Sequence, residues 1–212
     1  VAKGVIPLRT HIITEKDDLI SLVQKYTADI AEPGDIIALA ESMVAIAQGR
    51  AILPKTVRPG LLARFICRFP GKDGSLATPQ AMQLAIKEVG RARILLGCTA
   101  ALLGRLVGRR GDFYRVAGQE LALFDDIAGT VWPFEKHIVM GPKNARGVAA
   151  KIKEATGVDA VIVDVNDMKC VDIIGATDGL DREVVVNALR DNPFGNDDQL
   201  TPIVVIKADL PH

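Results

Sequence analysis

The chain has 212 residues, 49% of them apolar, 25% charged and only 4% aromatic, which is the composition of a folded α/β-type domain and excludes a disordered segment. Lysine plus arginine and aspartate plus glutamate balance at 26 each, and no apolar run reaches the ~20 residues that a membrane span needs. No leader-like segment opens the sequence, and the three cysteines, Cys67, Cys98 and Cys170, fit no zinc spacing and read as reduced thiols. A cytoplasmic protein with no membrane partner is expected.

Taken in chain order, VIPLRTHIIT alternates apolar and polar residues and predicts a strand ending near Thr14. Asp17 and Asp18 precede Leu19, Ile20, Leu22 and Val23, spaced for one face of a helix with acids at its start. Pro33-Gly34-Asp35 reads as a turn, IIALA as a buried strand, and ESMVAIAQGR as a segment stopping at Gly49. Residues 61–69 read as a helix with Arg64 and Arg68 on one side, and residues 70–75 as a loop. Residues 78–90 carry helix punctuation at both ends: Thr78 as cap, Pro79 at the first position, Gly90 as stop. The apolar run ARILLGCTAALLGRLVG is expected to be a strand or strand–helix junction, and RRGDFYRVAG a turn and a strand.

The second half predicts a strand ELALFDD, a short strand HIVMGP and a helix over 144–157 capped by Asn144 and stopped by Gly157. There follow a buried strand DAVIVDVND, a strand KCVDIIGAT, a helix DREVVVNALRDN, a polar loop PFGNDDQ and a last strand PIVVIK. Strands and helices alternate, so the fold class is α/β or mixed α+β, with one large mixed sheet. One domain over 1–212 is expected, with a possible basic subdomain over 50–115.

Charge is unevenly placed. Residues 1–115 hold 17 Lys/Arg and 10 Asp/Glu, and residues 116–212 hold 9 and 16. Such a split fits mutual attraction within the fold or across a dimer, or a basic side for an anionic ligand and an acidic side for metal.

Two strand ends carry the candidate chemistry. VIVDVND delivers Asp164, Asn166 and Asp167 at the end of an apolar strand, where open α/β sheets hold their ligands. Hard oxygen donors side by side suit magnesium or manganese, and a turn is the competing reading. LALFDDIAGT ends in Asp125 and Asp126, with Gly129 and Thr130 placed to bring backbone amides to a phosphate. The GNDDQ loop near Glu183 is read as a turn, and His11 and His137 as isolated structural residues. No phosphate loop, no GxGxxG after a strand, no GxSxG, HExxH or CxxC is present. The basic middle has few interleaved aromatics, so no nucleic-acid partner is expected.

Asp17-Asp18-Leu19, Gly34-Asp35-Ile36-Ile37 and Ala47-Gln48-Gly49-Arg50, in that order, resemble the opening of the coenzyme F-420 gamma-glutamyl ligases. Val163-Asp164-Val165-Asn166 is similar to that family's strand–DxN element, Asp126-Ile127-Ala128-Gly129-Thr130 to its Asp–small–small–polar segment, and the closing Pro-Ile-Val-Val-Ile strand also fits. The motifs cover the first ~50 and last ~100 residues, and the middle matches poorly. The resemblance implies an intertwined homodimer of mixed α/β fold. It implies a GTP- and divalent-metal-dependent reaction joining L-glutamate to a deazaflavin precursor through an acyl phosphate. Carried over residue by residue, it makes Asp126 and Asp164 ligands of magnesium or manganese, Asn166 a support for one of them, and Glu183 a late acidic ligand.

The family's Ser-Lys pairs are replaced here by Glu41-Ser42 and Ala45-Ile46, and its Glu before Gly-Arg by Gln48. Phosphate charge then falls to Arg50, Arg58, Arg109 or Arg110. A metal-dependent nucleotide- or phosphate-binding homologue without ligase activity, or one acting on another acid, is the alternative, and a plain dimeric scaffold a third.

Overall fold

A computed structural model describes residues 4–69, 75–124, 133–166, 168–195 and 199–208. The chain divides into two compact units: Val1–Arg50 with Pro142–His212, and Ala51–Gly141.

The first unit is built on a five-stranded mixed sheet, in the order β1-β7-β2-β5-β6. Its strands are β1 (Val5–Leu8), β2 (Ile36–Ala40), β5 (Asp159–Val165), β6 (Val171–Ala176) and β7 (Ile203–Ile206). β2 and β5 run parallel, and β7 lies antiparallel to both β1 and β2. The central strands are apolar throughout because both their faces are covered. Ile37, Leu39, Ala160, Ile162, Ile203 and Val205 face one helical layer. That layer is α1 (Leu19–Thr27), α2 (Glu41–Ala47) and α7 (Ala145–Thr156). Ala38, Val161, Val163, Val204 and Ile206 face the other side, where α8 (Arg182–Leu189) inserts Val185, Ala188 and Leu189.

Side-chain caps start the helices where the sequence predicts. The Asp18 carboxylate accepts from the Ser21 amide at α1, Asn144 from Gly147 at α7, and Asp181 from Glu183 and Val184 at α8. The α7 layer lies so close on β6 that a Cβ at Gly175 would stand 2.5 Å from backbone atoms of Ala145 and Arg146. Only glycine permits that approach. Where the first strand was expected to run to Thr14, β1 stops at Leu8. Thr10 makes one more bond, its amide to the Leu200 carbonyl, and then a turn closes with the Asp17 amide on the Thr14 carbonyl.

The second unit is mostly helical: α3 (Leu61–Ile66), α4 (Pro79–Val89), α5 (Arg91–Leu106) and α6 (Asp112–Ala117), with a small ladder of β3 (Ala51–Ile52) against β4 (Ile138–Val139). Its core gathers Ala63, Ile66, Leu76, Met82, Ile94, Leu121, Phe124 and Ile138. α4 has the expected Thr78 cap, its hydroxyl accepting from the Ala81 amide.

Three expectations fail in this unit. The run expected as a strand or strand–helix junction is one 16-residue helix, α5, and RRGDFYRVAG forms helix α6 instead of a strand. Gly97 and Gly104 explain both. A Cβ at Gly97 would crowd Ala117 and Phe113 of α6, and one at Gly104 would collide with Asp112. These glycines, seven apart on one helix face, let α6 lie directly on α5. ELALFDD is the third: Gln119–Leu121 is a single 3-10 turn. The paired acids Asp125 and Asp126 at its end lie outside the described residues.

Candidate functional site

β1, β2 and β5 point the same way, so their C-terminal ends share one edge of the sheet. At that edge stand the loop after β1, the β2–α2 junction, the end of β5 and the start of β6. β2 passes into α2 with no loop, Ala40 ending the strand and Glu41 beginning the helix. Such an edge, beyond the carboxyl ends of parallel strands, is where open α/β sheets place ligands.

Asp164 lies on this edge, exposed to solvent. The β5–β6 register pairs it directly with Asp172, one rung from the hairpin end. Desolvation by the protein around it raises the Asp164 carboxyl above the usual carboxylate range, and the neighbouring Asp172 charge adds to the rise. Two like charges facing across a ladder are unfavourable until a proton or a cation relieves them. Asp172 is a residue that motif reading missed. The only sequence clue was the turn at 166–170, from which a hairpin register can be counted.

Asn166 has a different task from the one expected. Its amide donates to the Cys170 carbonyl, its side-chain oxygen accepts from the Cys170 amide, and its carbonyl accepts from Lys169, which sits at φ 62°. The side-chain oxygen closes the hairpin turn. Glu183 stands elsewhere. β6 ends at Ala176 beside Val161, and Thr177 bonds back to Ala160, so α8 begins at the opposite end of the sheet. Glu183 is exposed in the first turn of α8, roughly one strand length, ~15 Å, from Asp164. The far end of α8 returns toward the hairpin, where Asp191 pairs with Lys169 at 3.2 Å.

Arg50 is buried at the end of the α2 segment, its amide on the Ala45 carbonyl. Gln48 just before it spans to Lys143, accepting from that residue's amide at 2.7 Å and donating to its carbonyl at 3.0 Å. Asp126, Gly129 and Thr130 lie outside the described residues. Among the described residues no group of three His, Cys, Asp or Glu side chains is placed to hold a metal ion. Asp164 and Asp172 supply two hard carboxylates, which fits magnesium or manganese whose other positions are filled by phosphate oxygens and water. They do not form a closed all-protein cage.

His11 is not isolated. Its Nδ1 is 2.9 Å from the Tyr26 hydroxyl and its Nε2 is 3.0 Å from an Asp17 oxygen. The other Asp17 oxygen accepts from the Thr14 amide and hydroxyl. The hydrogen bond from His11 is the largest cause that holds the Asp17 carboxyl below its usual range, followed by the Thr14 amide. This cluster ties the β1–α1 loop to α1, a structural role.

The family model described as F420-0:Gamma-glutamyl ligase matches residues 7–113, which is just over half of the chain. The chain belongs to that family. No curated protein matches it. The match takes in the helical middle through α5, where the ligase motifs are hardest to see in the sequence. It ends before α7 and β5. Asp164, Asp172 and Glu183 therefore stand outside the matched segment of this ligase-family chain, and their roles rest on chemistry and placement. Among the described residues, no helix is long and apolar enough to cross a membrane.

Proposed function

We propose that the chain is a coenzyme F-420-0:L-glutamate ligase, forming an amide bond with GTP and a divalent metal in the cytoplasm. The family match over residues 7–113 carries this reading. In the proposed reaction a carboxylate of the deazaflavin precursor is phosphorylated by GTP, and the amine of L-glutamate attacks the acyl carbon and releases phosphate. Magnesium or manganese, when bound, neutralises the phosphate oxygens and the charge that develops on them.

Asp164 and Asp172 are the described residues that would hold the ion, since their mutual repulsion favours a cation between them. Asp126 would complete the set, with Gly129 and Thr130 donating backbone amides to phosphate. Arg50 has its side chain buried at the end of α2 and would act on phosphate only from that position. A homodimer is part of the proposal, supported by the family resemblance and by charge. The unit Ala51–Gly141 holds 13 Lys/Arg against 7 Asp/Glu, and the rest of the chain 13 against 19.

One observation favours a second reading. Glu41 opens α2 at the sheet edge that carries Asp164, where a family Ser-Lys pair is expected. An acid in place of a lysine adds negative charge near incoming phosphates, which fits a metal-dependent phosphate-binding homologue without ligase activity, or one acting on another acid.

Thermal unfolding with manganese, GTP or both tests the first reading, because a ligand that binds only the native state raises the melting temperature. A rise that needs both, and is lost in Asp164→Ala, is expected. Amide formation from L-glutamate and the precursor then separates the two readings. A thermal rise without product sinks the ligase and leaves the binding homologue.

A further inference from the structure

The second unit exposes apolar surface that its own core does not use. Along α5 the leucines Leu95, Leu96, Leu102, Leu103 and Leu106 are exposed, Leu106 at 77%, while Ile94, Gly97 and Gly104 face inward. On α3 and the turn after it, Leu61, Phe65 and Phe69 recur every four residues and are also exposed, Leu61 at 87%. The two stripes are joined at their ends, where the Arg105 guanidinium donates to the Phe69 carbonyl at 3.4 Å. Scattered exposed leucines need no explanation, but a continuous set of this size marks a contact surface.

The charge around it is of one sign. In residues 61–69 and 91–110 every charged side chain is an arginine: Arg64, Arg68, Arg91, Arg93, Arg105, Arg109 and Arg110. All seven are exposed, and of these Arg109 is paired with Asp112 just beyond the segment. Leucine and phenylalanine at the centre with arginine at the flanks is the pattern of a helix lying in a lipid interface. There the apolar side chains enter the acyl boundary and the guanidiniums reach back to phosphates. A symmetric second copy docking α5 on α5 would set arginine against arginine across the contact.

We propose that the α3–α5 face of this unit rests on the surface of an anionic phospholipid bilayer, without crossing it. This goes beyond the ligase reading and does not depend on it. The full chain is tested by co-sedimentation with vesicles of phosphatidylcholine alone and of phosphatidylcholine mixed with phosphatidylserine. The chain is expected to pellet with the mixed vesicles only, and less as salt is added. Arg64→Ala with Arg68→Ala is expected to weaken this binding by roughly tenfold or more, and Leu103→Glu with Leu106→Glu to abolish it, with melting temperatures unchanged. Pelleting with neither vesicle, or equally with both, overturns the proposal. So does a wild-type dimer that the leucine variant splits into monomers in sedimentation velocity while vesicles fail to bind.

Discussion

The two units solve the burial problem differently. In the sheet unit nearly every large apolar side chain lies between strands and helices. Of thirteen exposed large hydrophobic residues among the described ones, only Ile6, Ile12 and Met168 belong to it. The other ten lie in Ala51–Gly141, in a unit that also carries the basic excess. A strand covered on both faces needs apolar residues at every position, so its sequence and its burial agree. α5 is also apolar around much of its girth, yet only one face meets a core. Apolar content alone therefore does not tell burial from a contact surface.

The largest effects should break or confirm the division itself. Ile162→Ala in the sheet and Leu121→Ala in the helical unit each empty a fully buried site and should each cost about 3 kcal/mol. Hydrogen exchange should then show Leu121→Ala loosening the amides of α4, α5 and α6 while β2, β5 and β7 keep their protection. Loss of protection throughout both units would dissolve the comparison.

A smaller effect belongs to the sheet unit alone. Asp35 is buried at the start of β2, accepting from the Ala208 and Glu32 amides and from Lys207 Nζ at 2.7 Å. Burial works to raise its carboxyl, but the Lys207 hydrogen bond and the two amides outweigh it and hold it below the usual range. A lowered folded value means that its stabilisation is present above the unfolded pKa of about 4 and is lost as pH falls through the folded value. Asp35→Asn should remove that part of the acid sensitivity in urea melts taken down through this range, and an unchanged acid limb would rule the ion pair out as its source. Smallest of all, His11→Ala should cost about 0.5 kcal/mol, because the His11–Asp17 pair is largely solvated. A loss several times larger in denaturant titration would show that the β1–α1 loop does more than tie itself down.

Legibility followed the same division. β2, β5, β6, β7, α1, α7 and α8 stand where residue patterns place them, because a strand period of two and side-chain caps are local signals. α5 and α6 were misread because Gly97 and Gly104 look like strand or junction breaks until α6 is seen packed against them. At the site, the strand ending in Asp164 could be read directly, but its partner could not. Asp172 comes beside it through a hairpin register, and Glu183 is carried away by the direction of α8.

By itself the sequence determined the mixed α/β class, the caps, the family's opening motifs and a carboxylate at the end of β5, all of which depend on residues close in the chain. Tertiary structure alone decided which acids share an edge, that the Asn166 side chain closes a turn, and which leucines of α5 face outward. Those outcomes depend on strand register, helix direction and the close approach of distant segments, and no local pattern encodes them.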